Sequence, residues 1–141
     1  MVIARRYVGT SLLLAIVTVA ALGCAATSAP TKAIGANDLA SLAGRWIGDV
    51  TLPSGASLPG TWDLTPGGDY TTRAGAFSAT GKAQVKDGNL VLMSTSMTGG
   101  GSTGPRTSTA SLSQRSDGKL VLTGRGYSES GPFNFQVTKE K

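Results

Sequence analysis

The sequence predicts an all-β fold, an eight-stranded antiparallel up-and-down β-barrel preceded by a short helix. Three observations lead to this prediction. After residue 43 the chain consists of short segments in which apolar and polar residues alternate, and Gly, Pro, Asn and Asp separate these segments. No helical period is present in that region. The connecting segments also alternate in length, as expected when odd and even turns lie at opposite ends of a barrel.

The helix and strands follow from local signals. Asn37 is a suitable N-cap for one or two helical turns, and Gly44 ends them. Alternation and turn residues then define eight strands. Their predicted bounds are 45–52, 60–65, 69–74, 80–86, 89–95, 106–115, 119–126 and 132–139.

The links between these strands predict two different barrel ends. The links after the second, fourth and sixth strands are tight, with the sequences PGG, DG and SDG. Those after the first, third, fifth and seventh are longer, with the sequences PSGASLPG, GAFSA, SMTGGGSTGP and YSESG. We therefore predict a pinched end and a loop-rich end. Barrel closure removes the exposed edges that short open strands would leave. An open meander or a two-sheet sandwich is the alternative.

Alternation assigns one face of each strand to the interior. The interior set is Trp46, Val50, Leu52, Trp62, Leu64, Tyr70, Val85, Leu90, Leu92, Ala110, Leu112, Leu120, Leu122, Phe133, Phe135 and Val137. These large side chains favour a packed interior, because an eight-stranded barrel is just wide enough to be filled by its own side chains or to hold one small ligand. If a ligand cavity is present, we expect it at the loop-rich end, with Leu52 and Phe133 as ligand-binding residues at the rim.

The N-terminus has the pattern of an exported protein. Arg5 and Arg6 precede an apolar run over residues 12–22, and the run ends at Gly23 and Cys24. The run is shorter than the ~20 residues that cross a bilayer as a helix, so a permanent transmembrane segment is the weaker interpretation. Cys24 is the only cysteine of the chain. A secreted protein with one unpaired cysteine calls for an explanation other than a disulfide.

Residues 21–24, with the sequence ALGC, resemble a bacterial lipobox. The resemblance implies a signal peptide over residues 1–23, lipidation of Cys24 with palmitate-type acyl chains, and anchoring in the bacterial cell envelope, on the periplasmic face of the outer membrane. It divides the chain further into a lipidated N-terminus with a flexible tether, residues 24–36, and a barrel domain, residues 37–141. An ordinary secretory signal with an incidental cysteine is the alternative.

The start of the first strand carries a second resemblance. The sequence LAGRWIGDV, with Gly44 and Trp46, is similar to the Gly-x-Trp start of the lipocalin or calycin superfamily, and GTWDLTPGGDYTT resembles strands of small bacterial lipocalin-like domains. The resemblance implies a lipocalin-like barrel, in which an Arg of the last strand commonly packs on the Trp. This chain has Lys139 instead. We expect Gly44, Trp46 and Lys139 to have structural roles, with Lys139 over the Trp46 ring or, alternatively, solvated.

The composition argues against an enzyme. The chain contains no histidine, which removes Ser-His triads, most zinc sites and the usual general base near neutral pH. Most acidic residues lie at turns or outward phases. We therefore predict no catalytic residue, no metal site and no cofactor. The net charge of +5 is scattered without a basic stripe, so nucleic acid is not an expected partner.

Three functional classes remain open. The first is a membrane-anchored, non-enzymatic β-barrel module that binds a small apolar ligand. The second is a packed barrel whose loops act on a protein partner, in the manner of small protease inhibitors. The third is a structural envelope lipoprotein without a ligand.

Overall fold

A computed structural model describes residues 30–99, 106–128 and 130–141. The predicted signal peptide and Cys24 lie outside these residues. The described elements are β1 Thr31–Ile34, α1 Leu39–Leu42, β2 Gly44–Thr51, β3 Ser57–Leu64, β4 Asp69–Ala74, β5 Phe77–Lys86, β6 Asn89–Thr98, β7 Arg106–Arg115, β8 Leu120–Ser128 and β9 Gly131–Lys139.

The predicted closed barrel is confirmed. Strands β2 to β9 form an eight-stranded antiparallel barrel in which each strand pairs with the next along the chain. The ring closes between β2 and β9, with a register that runs from Trp46 opposite Lys139 to Thr51 opposite Asn134. Closure satisfies the backbone groups of both strands, which would otherwise form exposed sheet edges. The open meander and the two-sheet sandwich are therefore excluded.

One strand lies within the segment that the sequence interpretation assigned to a tether. Strand β1 pairs with β7, from Thr31 opposite Arg115 to Ile34 opposite Leu112. The pairing between β6 and β7 ends at Asn89 opposite Ser111, so the end of β7 extends past β6 and offers a free edge. β1 occupies that edge. The described part of the predicted tether is thus largely a strand, and it fixes the chain to the barrel.

The entry helix is short and begins one residue later than predicted. The side chain of Asp38 is the N-cap and accepts a hydrogen bond of 2.7 Å from the backbone N–H of Ser41. Leu42 on this helix is fully buried. The helix therefore places an apolar side chain on one end of the barrel, which we call the capped end. It is the end of the turns at residues 65–68, 87–88 and 116–119.

The opposite end, which we call the open end, has shorter links than predicted because the strands are longer there. Residues 75–76 join β4 to β5, and residues 129–130 join β8 to β9. Gly75 and Gly131 make these links possible, since they adopt φ values of 58° and 119° that other residues rarely adopt. The other two links at this end, residues 52–56 and 99–105, are longer than any link at the capped end, so the predicted contrast between tight and long links is reduced but not lost. The two ends differ further in what covers them.

The core contains the predicted interior set. Each of its residues is either buried in the core cluster or packed against it, and Ala36, Leu42 and Ala83 join the cluster. Several aromatic rings lie directly on glycine backbone. A Cβ added at Gly60 would lie 2.6 Å from Cζ3 of Trp62, and a Cβ at Gly124 or Gly126 would clash with the ring of Phe135 or Phe133. These rings therefore occupy space in the barrel interior that a side chain at the glycine position would otherwise fill.

Candidate functional site

Three aromatic rings divide the barrel interior into two halves. The rings of Trp62 and Phe135 stack with centroids 5.3 Å apart and an interplanar angle of 28°. Phe133 extends this cluster toward the open end, with its centroid 6.5 Å from that of Phe135. Such offset arrangements are favourable beyond the area that they bury. The cluster forms the floor of the space at the open end.

The half below this floor is packed. A cavity of about 10 Å³ lies there between Trp46, Trp62 and neighbouring leucines. The Trp46 side chain is fully buried, and its Nε1 donates a hydrogen bond of 2.9 Å to the backbone oxygen of Leu42. This cavity is too small for an organic ligand.

The half above the floor contains an apolar cavity of about 90 Å³. Its walls come from the strand ends at the open end. The lining residues are Val50, Trp62, Thr72, Arg73, Ala74, Phe77, Ser78, Ala79, Met97, Ser128 and Phe133. The volume arises because small residues such as Ala74 and Ala79 lie on the walls where large ones fill the capped half. We call this space the apolar cavity.

A second cavity of about 50 Å³ adjoins the first and shares Trp62, Thr72, Ala79, Met97 and Phe133 with it. One side of this cavity is lined by the polar residues Tyr70, Ser94, Arg106 and Ser108. The remaining lining comes from apolar core residues. We call this space the polar cavity. The shared lining shows that the two cavities are adjacent.

The polar wall has a defined hydrogen-bond network. Ser94 is buried, and its Oγ donates to the backbone oxygen of Arg106 at 3.1 Å while accepting from the Arg106 N–H at 3.0 Å. Burial raises the pKa of the Tyr70 hydroxyl to about 12, and a hydrogen bond with Ser94 acts in the opposite direction. Tyr70 is therefore neutral at physiological pH and retains its proton as a donor.

The two predicted rim residues differ in position. Phe133 lines both cavities. Leu52 is partly buried against the core, but it is not among the described residues that line either cavity. It lies past the end of β2, in a turn that its N–H closes with a 2.8 Å bond to the oxygen of Ala56. Cys24, the predicted lipidation site, lies outside the described residues.

The three predicted structural residues meet at the capped end. Lys139 Nζ lies 6.0 Å from the centroid of the Trp46 ring and donates a 2.8 Å hydrogen bond to the backbone oxygen of Ser41. Gly44 lies beneath this side chain, since a Cβ there would be 3.3 Å from Cε of Lys139. Lys139 thereby links the last strand to the helix and to the buried Trp.

Sequence reasoning missed Arg106 as a site residue. Arg106 has the alternation phase of Ser108, Ala110 and Leu112, the last two of which are buried. A charged residue at an inward phase is the signal that identifies it, because charges are rarely placed toward a barrel interior without a partner. Trp62 and Met97 carry no comparable signal, since an apolar inward residue is equally consistent with a packed core.

Residues 30–99, 106–128 and 130–141 contain no group of three or more His, Cys, Asp or Glu side chains arranged to hold a metal ion. None of the helices described for these residues has the length and apolar character needed to cross a membrane.

Comparison with known proteins gave no match. No family model matches the chain, and no similar protein was found among characterised proteins or solved structures. The fold and the cavities described above are therefore the basis for functional inference.

Proposed function

We propose that this protein is a bacterial envelope lipoprotein, anchored through acylated Cys24, whose lipocalin-like barrel binds one small apolar ligand at its open end. The observation that carries the binding proposal is the apolar cavity of about 90 Å³ above an aromatic floor. Protein interiors contain few voids larger than a water molecule, so an apolar space of this size above a packed half favours ligand binding.

The cavity volume limits the ligand. Sites for drug-sized ligands have volumes of about 300–1,000 Å³. An engineered apolar cavity of about 150 Å³ accepts benzene. The two adjoining cavities, of about 90 and 50 Å³, therefore fit a group the size of one aromatic ring or a few methylenes. We expect a compact ligand rather than a long acyl chain.

The position of β1 supports an orientation for the anchored protein. The backbone oxygen of Pro30 accepts a 3.2 Å hydrogen bond from the N–H of Ser116, so the chain enters the barrel at the capped end. Cys24 lies six residues earlier, and six extended residues span at most about 20 Å. A lipidated Cys24 would hold the capped end close to the membrane and turn the open end toward the periplasm.

The methionines provide a direct test of ligand binding. Met97 lines both cavities, whereas Met93 is on the outer wall and is 38% exposed. We would label the methionine methyl groups with ¹³C in the full-length acylated protein in lipid nanodiscs and titrate small aromatic and aliphatic compounds. Saturable shifts of the Met97 signal with an unchanged Met93 signal are expected. If no compound moves Met97 selectively, the proposed binding function is wrong.

The anchor has a separate test. Mass spectrometry of the N-terminal peptide from membranes is expected to show an acylated Cys24, and Cys24→Ser should move the protein to the soluble fraction. A Cys24→Ser protein that stays with the membrane would contradict the anchor. This experiment measures acylation and membrane association and not ligand binding, so its result does not affect the binding proposal.

A further inference from the structure

Arg106 is a charged residue on the side of its strand that faces the barrel interior. It begins β7 at the open end, at the inward phase, and its register partner is the buried Ser94. Two hydrogen bonds with Ser94, one donated by Ser94 Oγ and one accepted by it, hold the Arg106 backbone and fix the point from which its side chain extends. Arg106 is partly buried and is among the residues that line the polar cavity.

The groups around Arg106 favour a negatively charged or strongly accepting ligand atom. Tyr70 contributes a hydroxyl that stays protonated, and Ser108 contributes a second hydroxyl on the same wall. Hydroxyls and a guanidinium together supply several donors to one small volume. A neutral apolar group in that volume would displace water from this wall and offer the donors no acceptor of its own, which is unfavourable.

We infer that the ligand is a compact amphiphile whose apolar group occupies the apolar cavity and whose anionic head, a carboxylate or a similar oxyanion, binds at Arg106 and Tyr70. This inference rests on the proposed binding function and specifies its ligand class. The guanidinium is suited to this role because its planar donors match a carboxylate in pairs. Arg106 also has an interaction within the chain, so the ligand head adds to that contact or exchanges with it.

The arrangement of the two cavities gives the ligand its shape. Because the cavities share Phe133, Met97 and three other residues, one molecule can occupy both. An aromatic ring in the apolar cavity, followed by one methylene and a carboxylate, matches the apolar and polar walls in order. Phenylacetate has this composition, and 2-phenylethanol is its close neutral counterpart.

The experiment compares these two probes by the Met97 methyl signal in the acylated protein. We expect phenylacetate to bind about 10- to 100-fold more tightly than 2-phenylethanol, the range for a hydrogen bond to a charged group. Arg106→Met should remove most of this preference, because it lowers the affinity for phenylacetate more than that for 2-phenylethanol, whose hydroxyl meets the same wall. Arg45→Met, on the exposed face of β2 at the capped end, is the matched control and should leave the preference intact.

The outcomes separate this inference from the proposed function. If neither probe moves the Met97 signal, the binding function itself fails. If both bind the unmodified protein with equal affinity, the barrel binds ligands and the anionic head is wrong. Arg106→Lys retains the charge and should retain a preference for phenylacetate. If Arg106→Met does not fold, the comparison of the two probes in the unmodified protein and in Arg106→Lys decides the question.

Discussion

The two halves of the barrel are made from the same eight strands but are filled in opposite ways. In the capped half, the side chains of Trp46 and Leu42 are fully buried, and the cavity beside Trp46 has a volume of about 10 Å³. In the open half, alanines and hydroxyl residues leave cavities of about 90 and 50 Å³. The comparison teaches that alternation determines which residues face inward, while residue size and the covering helix determine whether the interior is full.

The largest expected effect is a loss of stability on a substitution in the packed half. Trp46→Ala removes a fully buried indole and its hydrogen bond to Leu42. Large-to-small changes of this kind lower the free energy of unfolding by about 3–5 kcal/mol. Urea unfolding followed by circular dichroism would measure the loss. Ile47→Ala is the matched control, since Ile47 is adjacent and 41% exposed, and it should change stability much less. Equal losses for the two variants would show that the capped half is not the tighter one.

The next prediction concerns Tyr70 in the polar cavity and the change of stability with pH. Burial raises the pKa of Tyr70 from 10.0 to about 12, so the folded state binds this proton more tightly than the unfolded chain does. The stabilisation is therefore present below pH 10 and is lost as the pH rises toward 12. The difference amounts to roughly 2–3 kcal/mol.

The measurement is the free energy of unfolding in urea at a series of alkaline pH values. Tyr70→Phe should remove this part of the alkaline loss, whereas Tyr127→Phe should leave it, because Tyr127 is 53% exposed. If the three proteins lose stability in parallel between pH 10 and pH 12, Tyr70 does not carry the effect.

The third prediction concerns stability and ligand binding in the open half. Phe133 is partly buried and lines both cavities, so Phe133→Ala enlarges space that already exists. We expect a loss of about 1–3 kcal/mol, smaller than that of Trp46→Ala, because less contact is removed. The same variant should bind a larger amphiphile such as 1-naphthaleneacetate, detected at the Met97 methyl. A loss as large as that of Trp46→Ala, with no gain in the size of ligand accepted, would mean that Phe133 belongs to the packed core.

Much of the fold was predictable because it depends on pattern. The alternation of apolar residues predicted the interior, and the alternating link lengths with the edges of short strands predicted closure, which the pairing of Trp46 with Lys139 confirms. Strand β1 was missed because four residues carry too little pattern, and its partner is the free end of a distant strand. The cavities were not predictable, since their volume depends on how rings such as Trp62 lie across Gly60. Side-chain packing of this kind has no signature in a single sequence.

The smallest expected effect concerns the link between the last strand and the helix. Lys139 lies 6.0 Å from the Trp46 centroid, at the outer limit for a cation–π contact, so its 2.8 Å hydrogen bond to Ser41 is the stronger contribution. Lys139→Met keeps most of the aliphatic stem over the ring and removes both polar interactions, and we expect a loss of about 1 kcal/mol. Lys139→Arg keeps a donor and a charge and should recover part of it. Lys86→Met, at an exposed position of β5, is the control, and a loss equal to that control would show that Lys139 acts as a solvated side chain. Because the capped half is held mainly by Trp46, the loss should stay well below that of Trp46→Ala even when the link is broken.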